Sequence, residues 1–295
     1  MSATGLQAEE TQAARPERKG LRKGLYLIPS AFTAANIGMG YFAVMSALRG
    51  FQLLQGGTDV ELNRAASLFD SAAHAIGWAW VFDTLDGRIA RLTKTTTEIG
   101  VQLDSLADVL TFGIAPAVLA YAWGFGSALE DGSNAHKLGW FISFMFLICG
   151  AFRLARFNVQ AVRPRVLAEG AAKVDKKNFV GLPIPMAGGL IAALVHFAPQ
   201  PLSRYGPELG AIYSGLLMGL VALLAALMVS TVRYNSFKTV GAEGRSTRVA
   251  ILVVAAIGML VWLYSRYVVL ALVALYVLHG IVIRLFALFR TALTK

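Results

Sequence analysis

The sequence predicts an all-α integral membrane protein, a polytopic bundle of about eight transmembrane helices with both termini cytoplasmic. Three observations predict it. The chain of 295 residues is 56% hydrophobic and only 15% charged, with a mean hydropathy of +0.60, too apolar for a soluble domain of this size. Apolar stretches recur at about 28–48, 66–85, 99–123, 138–157, 180–198, 209–231, 248–264 and 267–288, each close to the length that crosses a bilayer. The basic residues between them alternate in side. Only Arg49, Arg64, Lys137, Arg204 and Arg266 fall on one side, and the rest of the 27 Lys and Arg fall on the other. By the positive-inside rule the basic side is cytoplasmic, which puts both termini and the 88–98 loop there.

In chain order, residues 1–24 read as a basic cytoplasmic tail ahead of a single membrane domain over 25–290. No apolar h-region precedes the first span, so this lead does not read as a cleaved signal peptide. The string "RPERKGLRKGLYLIP" suits anionic headgroups, each cation being worth about 1 kcal/mol there, or serves as a topology signal and nothing more. The second span ends in acids, the short 88–98 loop turns back, and the third span starts at the same face. The fourth ends among Arg153 and Arg156, and a basic connection at 159–179 follows. "GLPIP" is expected to shape the start of the fifth span, where Gly188 and Gly189 allow close helix packing. The last two spans read as scaffolding. There is no internal repeat, low-complexity tract or second domain.

Some chemistries are excluded. The single Cys149, inside an apolar run, rules out a disulfide scaffold and a thiolate zinc site. His74, His136, His196 and His279 have no metal-ligand spacing, and each reads as structural. The net charge of +10 is accounted for by topology, so no nucleic-acid partner is expected.

Asp83, Asp86, Asp104 and Asp108 are the exception to this apolar character. A charge at the bilayer centre costs on the order of 3 kcal/mol on insertion scales, so four acids in one patch require a reason. Asp83 and Asp86 stand at i,i+3 and Asp104 and Asp108 at i,i+4, so each pair shares a helix face. On the second span Asp83, Asp86, Gly87 and Ala90 fall within an arc of roughly 100°. On the third, Gly100, Asp104 and Asp108 form one stripe. Antiparallel packing of the two helices brings all four carboxylates together just inside the cytoplasmic leaflet. Unaided they would repel, whereas hard divalent cations, Mg²⁺ or Mn²⁺ and two of them for phosphoryl transfer, would hold them charged. Carboxylates, small residues and Arg91, a planar fork suited to phosphate, are the parts for phosphoryl chemistry. Interhelical capping and an ion pathway are the competing readings of membrane acids, and an ion pathway has no need of an arginine.

These residues resemble the signature of the CDP-alcohol phosphatidyltransferase family, D-x2-D-G-x2-A-R, eight residues, then G-x3-D-x3-D. Here every position is filled, by Asp83, Asp86, Gly87, Ala90, Arg91, Gly100, Asp104 and Asp108. The resemblance implies a membrane transferase, usually a homodimer, that moves a phosphatidyl or alcohol-phosphate group from a cytidine diphosphate carrier to a hydroxyl. It implies that Asp83, Asp86 and Asp104 hold metal and cytidine diphosphate, and that Asp108 touches metal and acts as the base. Gly87 and Ala90 would leave room for the nucleotide, with Arg91, Gly100 and Asn36 as further contacts.

The rest of residues 25–240 is similar to the bacterial and archaeal phosphatidylserine synthases of that family. "IPSAFTAANIGMGYFAV", "SLADVLTFGIAPA", "FRLARFN", "GLPIPMAGG" and "MVSTVRYNSFK" carry that likeness, with Ser30 standing where such sequences often have Asn. The expectation is then transfer from CDP-diacylglycerol to L-serine with release of CMP, in the inner membrane, the site facing the cytoplasm. Arg153 and Arg156, at i,i+3, are candidates to pair with the serine carboxylate or ordinary positive-inside anchors, and Asn158 is a further polar candidate. A sibling using glycerol 3-phosphate, inositol phosphate or choline is the runner-up. A metal-ion or lipid transporter is the alternative from another class.

Overall fold

The computed structural model describes residues 19–93, 98–162, 178–235 and 247–293. The tail before Lys19, Lys94 and most of the 159–179 connection lie outside the described residues, and with them the expected headgroup contacts of the tail.

Among the described residues the long helical courses are α1 (Lys19–Leu53), α2 (Asp59–Thr93), α3 (98–128), α4 (Asn134–Val162), α5 (Ile184–Phe197), α6 (Gly206–Val229) and α7 (Thr247–Leu293). Five of them, α1, α3, α4, α6 and α7, contain stretches long and apolar enough to cross a membrane. α2 is long enough but carries the acids, and the 14 residues of α5 span only about 21 Å against a hydrocarbon core of about 30 Å. Large apolar side chains such as Trp78, Phe152, Leu216, Leu252 and Trp262 are exposed around the bundle, as expected of helices whose outer surface meets lipid.

Two departures from an eight-helix reading have physical causes. The last two expected spans are one helical course without a loop. It turns only at Tyr264, whose backbone leaves the helical region at φ −133, ψ 43. A small antiparallel ladder also joins β1 (Asn178–Val180) to β2 (Arg233–Asn235), with Phe179 opposite Tyr234. Gly181 follows β1 at φ +83, and a Cβ there would collide with the Met228 carbonyl. Its N–H donates to Val232 O at 2.8 Å and that of Leu182 to Leu227 O at 3.0 Å. The "GLPIP" segment thus fastens the start of α5 to the end of α6.

α1 and α2 pack along their length through small residues, Ala43 and Ala47 on one side and Ala65, Ala72 and Ala79 on the other, all buried. Without water to expel between lipid-embedded helices, such close approach supplies the attraction. Their turn ends in a capping box. Thr58 Oγ1 donates to Glu61 Oε2 at 2.7 Å, and Glu61 N–H donates back to Thr58 Oγ1 at 3.3 Å. That hydroxyl holds the Glu61 carboxyl below its ordinary range.

α3 is not regular. It starts as an α-helix over Glu98–Asp108 and widens to a π-helical stretch over Val109–Ile114. Pro116 follows, with no N–H to give the Phe112 carbonyl. α5 packs against this spot. A Cβ at Gly188 would stand 2.8 Å from both Phe112 O and Pro116 Cγ, whereas one at Gly189 would meet nothing within 4 Å. Of the two glycines expected to allow close packing, Gly188 is the one in contact.

Candidate active site

α2 ends at Thr93 and α3 begins at Glu98, and helical periodicity puts the acids of each on one face. One carboxylate oxygen from each of Asp83, Asp104 and Asp108 lies within 4.8 Å of the others. π-Helical turns are frequent beside functional sites, and here one begins at Val109, immediately after Asp108.

Asp86 is not in that trio. It is buried, and it accepts a hydrogen bond from the Thr33 hydroxyl of α1, while staying within electrostatic reach of Asp83 and Asp104. Three of the four expected metal-ligating carboxylates therefore converge, and the fourth is bonded to α1 instead.

The donor set fits a hard divalent cation. It consists of carboxylate oxygens, with no sulfur or imidazole among the three converging groups. Asp108 Oδ1 is buried with no hydrogen-bond partner among the described residues, as are both side-chain polar atoms of Asn36. Buried polar atoms are rarely left so, and carboxylates this close repel unless a cation lies among them.

The surface expected to take a nucleotide stays open. A Cβ added to Gly87 would meet only Arg91 Nη2, at 3.6 Å, so the guanidinium lies over the glycine. Ala90 is half-buried, and Arg91 and Gly100 are exposed. On α4, Arg153 is half-buried with its Nε unpartnered, and it lies within electrostatic reach of Asp108 and of Tyr276 on α7. Arg156 is half-buried beside it. Asn158 Nδ2 donates to Ser105 Oγ at 2.8 Å, tying α4 to α3 next to Asp104.

Several residues escaped the sequence reading. Thr33 and Thr111 matter because the first holds Asp86 and the second donates to Asn36 O at 3.2 Å, joining α3 to α1. Thr33, Asn36, Gly40 and Ala43 recur at helical spacing on one face of α1, a signal that could have found them. Tyr276 left no such mark.

A second polar cluster lies nearer the start of α2. His196 Nδ1 is 2.6 Å from Asp70 Oδ1, and His196 Nε2 is 2.9 Å from Ser265 Oγ. His74 Nδ1 is 2.8 Å from the Asp70 carbonyl. The expectation that the histidines lack a ligand arrangement holds along the sequence but not in space, because α5 carries His196 across to α2.

The profile of the CDP-alcohol phosphatidyltransferase family matches residues 26–232. A CDP-diacylglycerol–serine O-phosphatidyltransferase of Helicobacter pylori is 31% identical over 277 residues, covering 92% of this chain and 96% of that protein. A protein of the same name from Methanocaldococcus jannaschii is 34% identical over 157 residues, 53% of this chain and 60% of its own length. An archaetidylserine synthase of Methanothermobacter thermautotrophicus is 30% identical over 218 residues, 73% of this chain and 72% of its own.

Proposed function

The chain belongs to the CDP-alcohol phosphatidyltransferase family, and from that premise we propose that it transfers the phosphatidyl group of CDP-diacylglycerol to the hydroxyl of L-serine. Phosphatidylserine and CMP are the products. The observation that carries the reading is the convergence of Asp83, Asp104 and Asp108 within 4.8 Å beside an arginine that has no carboxylate in a salt bridge among the described residues.

Asp83, Asp104 and Asp108 would hold the divalent ion or ions, Mg²⁺ or Mn²⁺, with Asp86 braced by Thr33 at their edge. Bound there, such ions neutralise the diphosphate and stabilise charge on the attacking and leaving oxygens. The chain's own residues do the rest. Gly87 and Ala90 admit the cytidine diphosphate against the α2 backbone, with Arg91, Gly100 and Asn36 as its polar and close-packed surroundings. Arg153, with Arg156 beside it, receives the serine carboxylate and so orients the hydroxyl. Asp108 takes the hydroxyl proton as that oxygen attacks the lipid-linked phosphorus, and the bond from phosphorus to the CMP oxygen breaks.

The same reading has eight membrane crossings, with α2 and α5 crossing within the bundle and α7 crossing twice about its turn at Tyr264. Both termini and the site then face the cytoplasm at the inner membrane, with residues 1–24 as a basic tail against anionic lipids and 25–290 as the membrane domain. A homodimer is the expected assembly. The test is CMP release from CDP-diacylglycerol by purified protein, with candidate alcohols added one at a time. Serine should give the fastest release. Preference for glycerol 3-phosphate, inositol phosphate or choline would move the chain to a sibling reaction, and no release with any alcohol would reject the enzyme reading.

A further inference from the structure

The second polar cluster stands apart from the aspartate site, separated along α2 by about 20 Å of helix between Asp70 and Asp83. It sits near the opposite end of the bundle. Asn63, about 10 Å back along the same helix, accepts hydrogen bonds from Gln200 at 3.3 Å and from Arg204 at 2.9 Å. Those residues close the turn after α5, so the cluster lies just beneath that turn.

Asp70, His74 and His196 bring one carboxylate oxygen and two ring nitrogens within 4.8 Å of one another. The separations are close to those a small ion needs. Ligands about 2.0–2.1 Å from a tetrahedral ion stand about 3.3 Å apart. Asp70 Oδ1 is 3.6 Å from His74 Nδ1 and 2.6 Å from His196 Nδ1; an ion would open the second by about 0.7 Å and replace the proton by which His74 Nδ1 bonds the Asp70 carbonyl at 2.8 Å. A ligating histidine is ordinarily oriented through its other nitrogen, and His196 has that support in Ser265 Oγ at 2.9 Å. His74 is about half exposed, which leaves an approach for the ion and a place for water as a further ligand.

The geometry points to a second metal site, in which Asp70, His74 and His196 bind a borderline divalent transition ion of the zinc kind. Two imidazoles and one carboxylate favour such an ion over Mg²⁺, which prefers an all-oxygen shell. Bound there, it staples α2 to α5. Through the His196–Ser265 hydrogen bond it also fixes α7 beside its turn at Tyr264. The ion is independent of the transfer chemistry. Arg266, next to Ser265, lies within electrostatic reach of Asp70 and opposes the incoming charge.

The test titrates full-length, Mg²⁺-loaded protein in detergent with Co²⁺ and follows the visible absorption of tetrahedral cobalt. The wild type should saturate near one equivalent. His74→Gln, at a half-exposed position that leaves the fold intact, should weaken binding about tenfold or more while CMP release stays at the wild-type rate. His196→Gln should abolish the band, Asp83→Asn should leave it, and Arg266→Gln should tighten binding. No tetrahedral band, a band that survives His74→Gln, a band lost with Asp83→Asn, or no tightening in Arg266→Gln would each overturn the assignment.

Discussion

Asp108 of α3 and Arg153 of α4 lie within electrostatic reach of each other, yet Asp108 Oδ1 and Arg153 Nε are both buried without a hydrogen-bond partner among the described residues. A buried acid and base that do not satisfy each other are poised for something between them. In the reaction proposed above that something is serine, whose hydroxyl meets Asp108 and whose carboxylate meets Arg153.

Asp108→Asn should keep nucleotide binding and lose turnover. An amide preserves the shape but cannot take a proton, and removing a general base costs roughly 10² to 10⁴ in rate. Asp83→Asn, which removes a carboxylate from the converging trio, should lose both. Turnover together with CDP-diacylglycerol binding to each purified variant checks this, and near-normal turnover in Asp108→Asn would take that residue out of the proton transfer.

Arg153→Ala should raise the KM for serine. A hydrogen bond to a charged group contributes roughly 1.5–3 kcal/mol, which corresponds to about 10- to 150-fold. Arg153→Lys should recover only part of the loss, because an ammonium cannot reproduce the planar fork. Serine kinetics at saturating CDP-diacylglycerol read the effect, and an unchanged KM in Arg153→Ala would refute that contact.

The aspartates were legible because helical periodicity alone fixes which side chains share a face. Asp83, Asp104 and Asp108 needed only two helices adjacent in the sequence. The position of the turn in α7 was legible, since the spans 248–264 and 267–288 part beside Tyr264, but its lack of a loop was not. The Ser265–Arg266 pair interrupts an apolar run without glycine or proline, and such a pair marks a loop and a continuing helix equally well. α5 came out shorter than its apolar run because Gly181 at φ +83 and the β1–β2 ladder delay its start. Thr33 with Asp86 and Asp70 with His196 are contacts between distant segments. Their partners are chosen by how the helices pack, which spacing within one helix does not encode.

Turnover should depend absolutely on Mg²⁺ or Mn²⁺. The three converging carboxylates offer oxygen alone, a donor set for hard cations, and without one they repel. Exhaustive chelation should abolish CMP release, and adding back Mg²⁺ or Mn²⁺ should restore it. Full turnover after chelation would show that the carboxylates serve another purpose.

Thr33→Val should weaken the response to metal more than it weakens folding. The Thr33 hydroxyl donates to Asp86, which is buried and within electrostatic reach of Asp83 and Asp104. Valine keeps the volume and removes the donor, so Asp86 loses a charge-assisted hydrogen bond worth roughly 1.5–3 kcal/mol. Freed from α1, its carboxylate can swing toward the trio and alter the geometry offered to the ion. The expected outcome is a several-fold higher Mg²⁺ concentration for half-maximal rate, with the maximal rate at saturating Mg²⁺ reduced far less. Thr33→Ser, which restores the hydroxyl, should return the midpoint toward wild type. A Mg²⁺ titration of the three proteins decides it. Identical midpoints would mean that the bond to α1 only packs the helices, whereas a shift in Thr33→Val rescued by serine would mark Thr33 as a positioning residue for the acidic site.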